Sequence, residues 1–416
     1  MIPRFSPATT PGETARFLLD TLRPDPPGGD LVHRFEEAFA RWQGASQALF
    51  VPSGRMGLHL ILAAAAYPAG AEVVVPGFTY FAIPAMLRHM GLTVVYADVE
   101  PTTYELNAAS VRAVLTPMTR AILPTHLFGR TCPMAELGSL AREYGVDLIE
   151  DCAQACGASM DGVRAGSLGR AAYFTFGITK NFSTYSGGVV VTQDDALAEA
   201  MRGRMADFAQ PGRGALLKQG ITAAAMSVAT SPAVFNLTLA PMLRWAHPSD
   251  ADPVHTRFEE AVAPISDEQL HRLRWRPGPA QAAAGLRQLA TVDARNDARR
   301  RLGDALRAAL LARGVVGVPA SADPGGDHIY VSFALRRPRR EAFGRLLRGA
   351  GVDFSSGYMT ACSRLPELGG APGLCPEAEA IEGEIVHLPL YPGLGEGAIQ
   401  RIADAVLSAD RSMGAQ

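Results

Sequence analysis

Between residues 47 and 205, apolar runs alternate with amphipathic stretches. ALFVPSG is an apolar run ending in Ser-Gly. RMGLHLILAAAAYPAG then carries apolar residues at helical spacing up to a Pro/Gly stop. AEVVVPG is a short β-branched run, and FAIPAMLRHMG after it predicts a helix. LTVVYADV, AILPTHLFG and VDLIEDCAQ predict further buried strands, with TCPMAELGSLAREYG as a helix between the last two. The stretch 181–195 reads as a turn and then a strand. Strands alternating with helices of this length predict an α/β fold with a mostly parallel central sheet and helices on both faces. Ligands of such sheets sit beyond the carboxyl ends of the strands.

After residue 205 the alternation breaks. The stretch 219–243 holds no charged residue and is long enough to span a bilayer. Its Ser, Thr, Asn and Gln residues, with Pro232 and Pro241, favour a helical hairpin packed on the protein or at a subunit interface over a membrane contact. From 279 to 315 an apolar stripe with an Arg-rich outer face predicts one long helix or two, the arginines being a solvated face. The remainder alternates HIYVSFAL and EIVHLPL with RREAFGRLLRGAG and GEGAIQRIADAVLSA, a smaller C-terminal α/β domain. The expected division is a large domain over 1–290 and a small one over 291–416.

Composition narrows the function classes. Of 416 residues, 48% are hydrophobic and 19% charged, which excludes a disordered chain. The formal net charge of −2 gives no global field for nucleic acid or anionic membrane. Five cysteines form no regular framework, and an odd count fits a reducing cytoplasm better than a disulfide scaffold. No His/Cys pair lies at zinc spacing around Cys152 and Cys156, so no metal site is expected. The start of the chain lacks the apolar core of a signal peptide.

The richest segment is 149–188: IEDCAQACGA, GVRAGSLG and AYFTFGITKNFSTYSGG. Asp151 ends a buried apolar strand, where an ionised carboxylate needs a cationic partner. Gln154 lies three residues on. Lys180 sits between an aromatic strand and a Gly-rich turn, where a desolvated lysine becomes an amine nucleophile. A carboxylate, an amide and a lone lysine at strand ends suit pyridoxal phosphate, with the lysine forming the Schiff base and the carboxylate holding the pyridine nitrogen protonated. From spacing alone, a surface lysine and a capping aspartate remain the simpler alternative.

The chain from about residue 10 to 410 resembles the DegT/DnrJ/EryC1/StrS family. The ordered landmarks are GGDLVHRFEEAFARWQGASQALFVPSG, AEVVVPGFTYFA, VYADVEPTTYELN, THLFGR, IEDCAQACGA, GITKNFSTYSGGVVVT, PAQAAAGLRQL and HLPLYPGL. The resemblance implies a fold-type I PLP-dependent aminotransferase, most members acting on nucleotide-linked keto sugars. It further implies an amino acid donor (glutamate), a keto acceptor and a homodimer with shared active sites. Lys180 matches the Schiff-base lysine and proton carrier, and Asp151 the partner of the pyridinium nitrogen. Gln154 matches the donor to the cofactor's phenolic oxygen, and Tyr80 an aromatic ring stacked on the pyridine. The amides of Arg55 and Met56 and the Thr175 hydroxyl match the phosphate site. His126 and Tyr185 are candidates for the substrate pocket.

The chain departs from the family pattern in three places. Arg55 follows Ser53-Gly54 where the family has threonine. Before PAQAAAGL the family has Gly-x-Asn-x-Arg, whose Asn reaches the neighbouring subunit's phosphate. Here Arg274 stands at the Asn and Arg276 aligns with the Arg, a further substrate candidate. An insert of about 205–270 precedes that segment. A family dehydratase would carry histidine in place of Lys180. A synthase, lyase or aminotransferase acting on a non-sugar substrate, and a non-catalytic regulatory or membrane-associated member, stay open.

Overall fold

The structure is a computed structural model and describes residues 1–23, 30–245, 262–319 and 325–414. Two helices, α1 (Pro11–Leu22) and α2 (Leu31–Gln43), precede the alternating region. Then follow β1 (Gln47–Val51), α3 (Gly54–Ala65), β2 (Glu72–Pro76), α4 (Ala82–His89), β3 (Thr93–Ala97) and α5 (Ala108–Val114). Next come β4 (Thr119–Ile122), α6 (Met134–Tyr144), β5 (Asp147–Asp151), β6 (Ala171–Thr175), β7 (Gly188–Thr192) and α7 (Asp195–Arg204).

The seven strands form one sheet in the order β1-β7-β6-β5-β4-β2-β3. All neighbours run parallel except β7, which is antiparallel to both β1 and β6. Alternation along β1 shows how both faces are filled. Leu49 and Val51 join the core under α3 and α4, whereas Ala48 and Phe50 join the core under α2. On the α2 side Phe35, Phe39, Phe50, Phe174, Phe176 and Phe182 pack as an aromatic cluster, several pairs edge-to-face. Burying each such ring stabilises the fold by about 2 kcal/mol.

Past the sheet come α8 (Arg213–Ala229), α9 (Pro232–Leu237), α10 (Leu239–Trp245), α11 (Asp267–Arg272), α12 (Pro279–Leu289) and α13 (Val292–Ala312). The stretch 279–315 is thus two helices, broken at Ala290 and Thr291. Residues 246–261 of the expected insert lie outside the described residues. The uncharged stretch 219–243 folds as helices packed on the protein. Leu216, Gly220 and Ala223 are buried, and a Cβ on Gly220 would meet Leu18 at 2.5 Å, so α8 and α1 touch almost backbone to side chain. Among the described residues no helix is long and apolar enough to cross a membrane.

A second core gathers α13, α14 (Arg340–Gly349), α16 (Glu396–Gly414) and a two-stranded antiparallel pair, β8 (Phe333–Arg336) with β9 (Ile385–Leu388). The strand expected over HIYVSFAL shortens to its last residues, because Tyr330 adopts a left-handed backbone (φ +43°) that breaks extension. Two segments cross between the cores. Ile2 pairs with Val352 and packs in the second core, although residue 2 falls in the expected large domain. Conversely, Thr360–Ala361 pairs with Phe78–Thr79, and α15 (Pro376–Glu384) packs on the first core through Ala378 and Ile381.

Candidate active site

The carboxyl ends of β1, β2, β4, β5 and β6 open on one side of the sheet. Each delivers one piece: the Ser53 cap of α3, Thr79 and Tyr80, the THLFGR turn, Asp151 with Gln154, and Thr175 with the Lys180 loop.

Asp151 is 3% exposed and held from both sides of its backbone, with its N–H donating to the Pro124 carbonyl and its carbonyl accepting from His126 N–H. Its Oδ1 accepts one bond from Ala153 N at 2.9 Å. Burial pushes the carboxyl up, against the pull of that amide and of the Lys180 charge. The same burial pushes the Lys180 amine down, and Asp151 opposes it. The buried Tyr173 hydroxyl lies beside Asp151 without a partner at good hydrogen-bond geometry. An acid and an amine that each lack full compensation have their titrations drawn toward each other.

The loop carrying Lys180 is anchored at both ends. Phe176 and Phe182 are buried, ring centroids 4.5 Å apart. Phe176 N donates to Gly187 O and Thr184 N to Phe176 O. Asn181 Nδ2 donates to Cys156 O at 2.8 Å, and Ser183 N to Gln288 Oε1. Ser186 receives Gln281 Nε2 and donates from Oγ to Gln219 Oε1 at 2.8 Å, so α8 and α12 brace the turn behind the lysine.

Gln154 has a defined orientation. Its Oε1 accepts from Phe128 N at 3.1 Å, which turns Nε2 the other way, to within 3.9 Å of Met359 Sδ. With one N–H donated to Met359 Sδ, the second N–H of the amide is the donor it has left to offer.

The phosphate end fits the cofactor that the resemblance implies. Ser53 caps α3, and a helix N-terminus offers backbone N–H groups and a positive dipole end to an anion. Here strands and helix approach so closely that no side chain fits between them. A Cβ on Gly188 would lie 2.2 Å from Phe174 O and 3.1 Å from Gly54 N, and one on Gly54 would lie 3.1 Å from Thr175 Cβ. Thr175 thus sits against the first turn of α3, beside half-buried Arg55. The Met56 amide is already donated to Ser53 Oγ at 3.2 Å, so it belongs to the cap rather than lying open as expected. Tyr80 lies half-buried at the end of β2, its ring 4.9 Å from Phe81.

Four expected site residues have their side chains engaged in the scaffold. His126 is fully buried, with Nε2 at 3.0 Å from Glu150 Oε2 and Nδ1 accepting from Cys132 N at 3.0 Å, so neither nitrogen is left for substrate. Tyr185 (φ +69°) stacks on Phe17 at 3.9 Å and reaches Thr14 Oγ1 at 3.2 Å, facing α1. Arg276 donates from Nε to Met205 O at 2.8 Å and from Nη2 to Ala206 O, tying down the end of α7. Arg274 lies over the Phe208 ring at 5.3 Å, near enough to His59 of α3 for its charge to act on that imidazole.

Sequence reasoning missed Glu150. This fully buried acid accepts from His126 Nε2 and from the amides of Gly166, Leu168 and Gly169. Burial would raise its carboxyl, but the imidazole and these amides outweigh it and hold it below the usual range. The available signal was the pair of adjacent acids ending an apolar run, both of which must find partners. Donor atoms of His126, Glu150 and Cys152 lie within 4.8 Å of one another, but the histidine and both carboxylate oxygens are committed to the bonds just described.

A family model described as the DegT/DnrJ/EryC1/StrS aminotransferase family matches residues 26–242 and 278–407. The interior stretch it leaves unmatched, 243–277, starts later than the expected insert and contains Arg274 and Arg276. A dTDP-3-amino-3,4,6-trideoxy-alpha-D-glucose transaminase from Micromonospora megalomicea subsp. nigra is 30% identical over 383 residues, 91% of this chain and 89% of the relative. A "pleiotropic regulatory protein" from Geobacillus stearothermophilus is 28% identical over the same shares of both chains. Among solved structures, S. venezuelae DesV in complex with a ketimine intermediate is 27% identical and matches with a TM-score of 0.71, covering 95% of this chain and 94% of that one.

Proposed function

From the premise that this chain belongs to the DegT/DnrJ/EryC1/StrS aminotransferase family and is a PLP-dependent aminotransferase, we propose that it moves an amino group from glutamate to a nucleotide-linked keto sugar in polysaccharide or natural-product biosynthesis. When bound, pyridoxal phosphate supplies the electrophilic carbon and the electron-accepting ring for that exchange. Lys180 is the residue that tethers it and carries the proton between substrate carbon and coenzyme carbon. Desolvation pushes the amine of half-buried Lys180 toward its neutral, basic form for this work. Asp151 holds the proton on the ring nitrogen, and Gln154 donates to the phenolic oxygen. Thr175, the Arg55 amide and the first turn of α3 hold the phosphate, and Tyr80 covers the ring. The observation that carries this reading is the incompletely compensated pair of buried Asp151 and half-buried Lys180 beside the α3 cradle.

A cytoplasmic homodimer with a large 1–290 and a small 291–416 domain completes the proposal. All five cysteines are free and buried, which supports a reducing compartment. Arg274 reaches the phosphate of the partner's site in this reading, its side chain lying over the Phe208 ring in its own chain. The transaminase from Micromonospora supports the sugar acceptor.

The test is spectral. Glutamate should shift the absorbance of the bound coenzyme, and a nucleotide-linked keto sugar should restore it. Lys180→Ala should lower turnover by about 10³-fold. An absorbance indifferent to every amino donor overturns the reading.

A further inference from the structure

The small domain reaches Gln154 through a continuous run of hydrogen bonds. His387 Nδ1 lies 2.7 Å from Ser332 Oγ. Ser332 N donates to the Phe128 carbonyl at 3.3 Å, and Phe128 N donates to Gln154 Oε1 at 3.1 Å. Both polar backbone groups of Phe128 are therefore used, one toward the small domain and one toward the site. Phe128 is left-handed (φ +58°), a conformation that non-glycine residues adopt rarely and that persists where its surroundings over-determine it. Gly129 follows at φ +97°, where a Cβ would lie 2.7 Å from Val331 N, so the turn and the 329–332 segment meet backbone to backbone.

The other side of the Gln154 amide is closed by the same histidine. His387 exchanges both backbone hydrogen bonds with Ser355, at the root of the segment carrying Met359. Its ring lies 4.9 Å from Phe128 and 5.4 Å from Tyr358. One residue thus contacts the turn that fixes Gln154 Oε1 and the segment that faces its Nε2. His387 lies on β9 opposite Ala334 of β8, and Ser332 immediately precedes β8.

We infer that Ser332 and His387 are positioning residues that set the orientation of Gln154, coupling the small domain's placement to the hydrogen bond offered to the coenzyme's phenolic oxygen. A side chain that touches a reacting group works within narrow tolerances and depends on a supporting layer of this kind. The inference rests on the role given to Gln154 under the proposed function. It predicts that changes in the small domain are read electronically at the coenzyme.

The test is the pH titration of the bound coenzyme's absorbance in the holoenzyme, with coenzyme affinity of the apoprotein measured by fluorescence. Gln154→Leu is the benchmark and should move the titration midpoint. His387→Phe, which keeps a ring but loses the bond to Ser332, and Ser332→Ala should move it in the same direction and weaken coenzyme binding several-fold. His387→Asn, whose side-chain amide can still reach Ser332, should recover most of the shift. If Gln154→Leu moves the midpoint while His387→Phe and Ser332→Ala leave it in place, the inference is overturned and the role of Gln154 stands. If Gln154→Leu itself leaves it in place, the role of Gln154 fails and takes the inference with it. Should circular dichroism show His387→Phe to be misfolded, Ser332→Ala alone decides.

Discussion

Glu150 and Asp151 are neighbours at the end of one strand, both buried acids, and they are driven in opposite directions. Glu150 has four donors, three of them backbone amides fixed by the 166–169 turn, and is held ionised. Asp151 has one amide and a lysine that is itself desolvated, and its carboxyl is raised. Burial is common to both, so burial does not mark the reactive group. The count of compensating donors does. Glu150 is finished as it stands, whereas Asp151 is left under-compensated and is the carboxylate to which the proposed function assigns the coenzyme's ring nitrogen.

The largest effect that would break this contrast is on turnover. Asp151→Asn should lower kcat by about 10²-fold or more, while the apoprotein remains at least as stable at neutral pH, since an under-compensated charge is removed. A measured loss of apoprotein stability in denaturant would place Asp151 with Glu150 as a structural acid.

Glu150→Gln should behave the other way. A carboxamide replaces one acceptor oxygen with a donor that must then face N–H groups, and breaking a buried charged pair from one side costs about 3 kcal/mol. Urea denaturation of the apoprotein measures it.

The pH dependence sharpens the contrast further. Glu150, lowered from 4.5, stabilises the fold above that pH and loses its contribution as pH falls through its folded value. Asp151, raised from 3.8, stabilises below that pH and loses its contribution as pH rises through its folded value. Stability-versus-pH curves of the apoprotein should therefore differ from wild type with opposite slope for Glu150→Gln and Asp151→Asn.

The smallest effect is expected at Gln219→Ala, which removes one hydrogen bond to Ser186 while Gln281 keeps the other. A loss of about 1 kcal/mol or less is expected by the same denaturation assay.

Much of this was legible in the sequence, and the exceptions have physical causes. Apolar runs ending in Gly, Pro or Asp located all seven sheet strands or their neighbourhoods, because buried parallel strands are continuous β-branched runs. The reversed direction of β7 was not legible, since GVVVT reads alike in either direction and only the hairpin-like return from the lysine loop decides it. Lys180 and Asp151 lie near enough for their charges to act on each other, with Gln154 following Asp151 and Thr175 standing against the first turn of α3. His126, Tyr185 and Arg276 are engaged elsewhere, because a polar residue near a strand end can turn toward a buried acid, a helix or a row of carbonyls, and spacing says nothing of which. Glu150 was overlooked because three of its four donors are backbone amides of a turn some twenty residues away that carries no side-chain signal of its own.

The bracing of the lysine turn has a bearing on chimaeras built between relatives. Ser186 is answered from Gln219 on α8 and from Gln281 on α12, and Ser183 from Gln288. A graft of residues 176–187 alone into another scaffold would arrive with its outward-facing bonds unanswered. The transplantable unit is the turn together with the faces of the two helices behind it, and α8 travels with the chemistry although it contributes no reacting group.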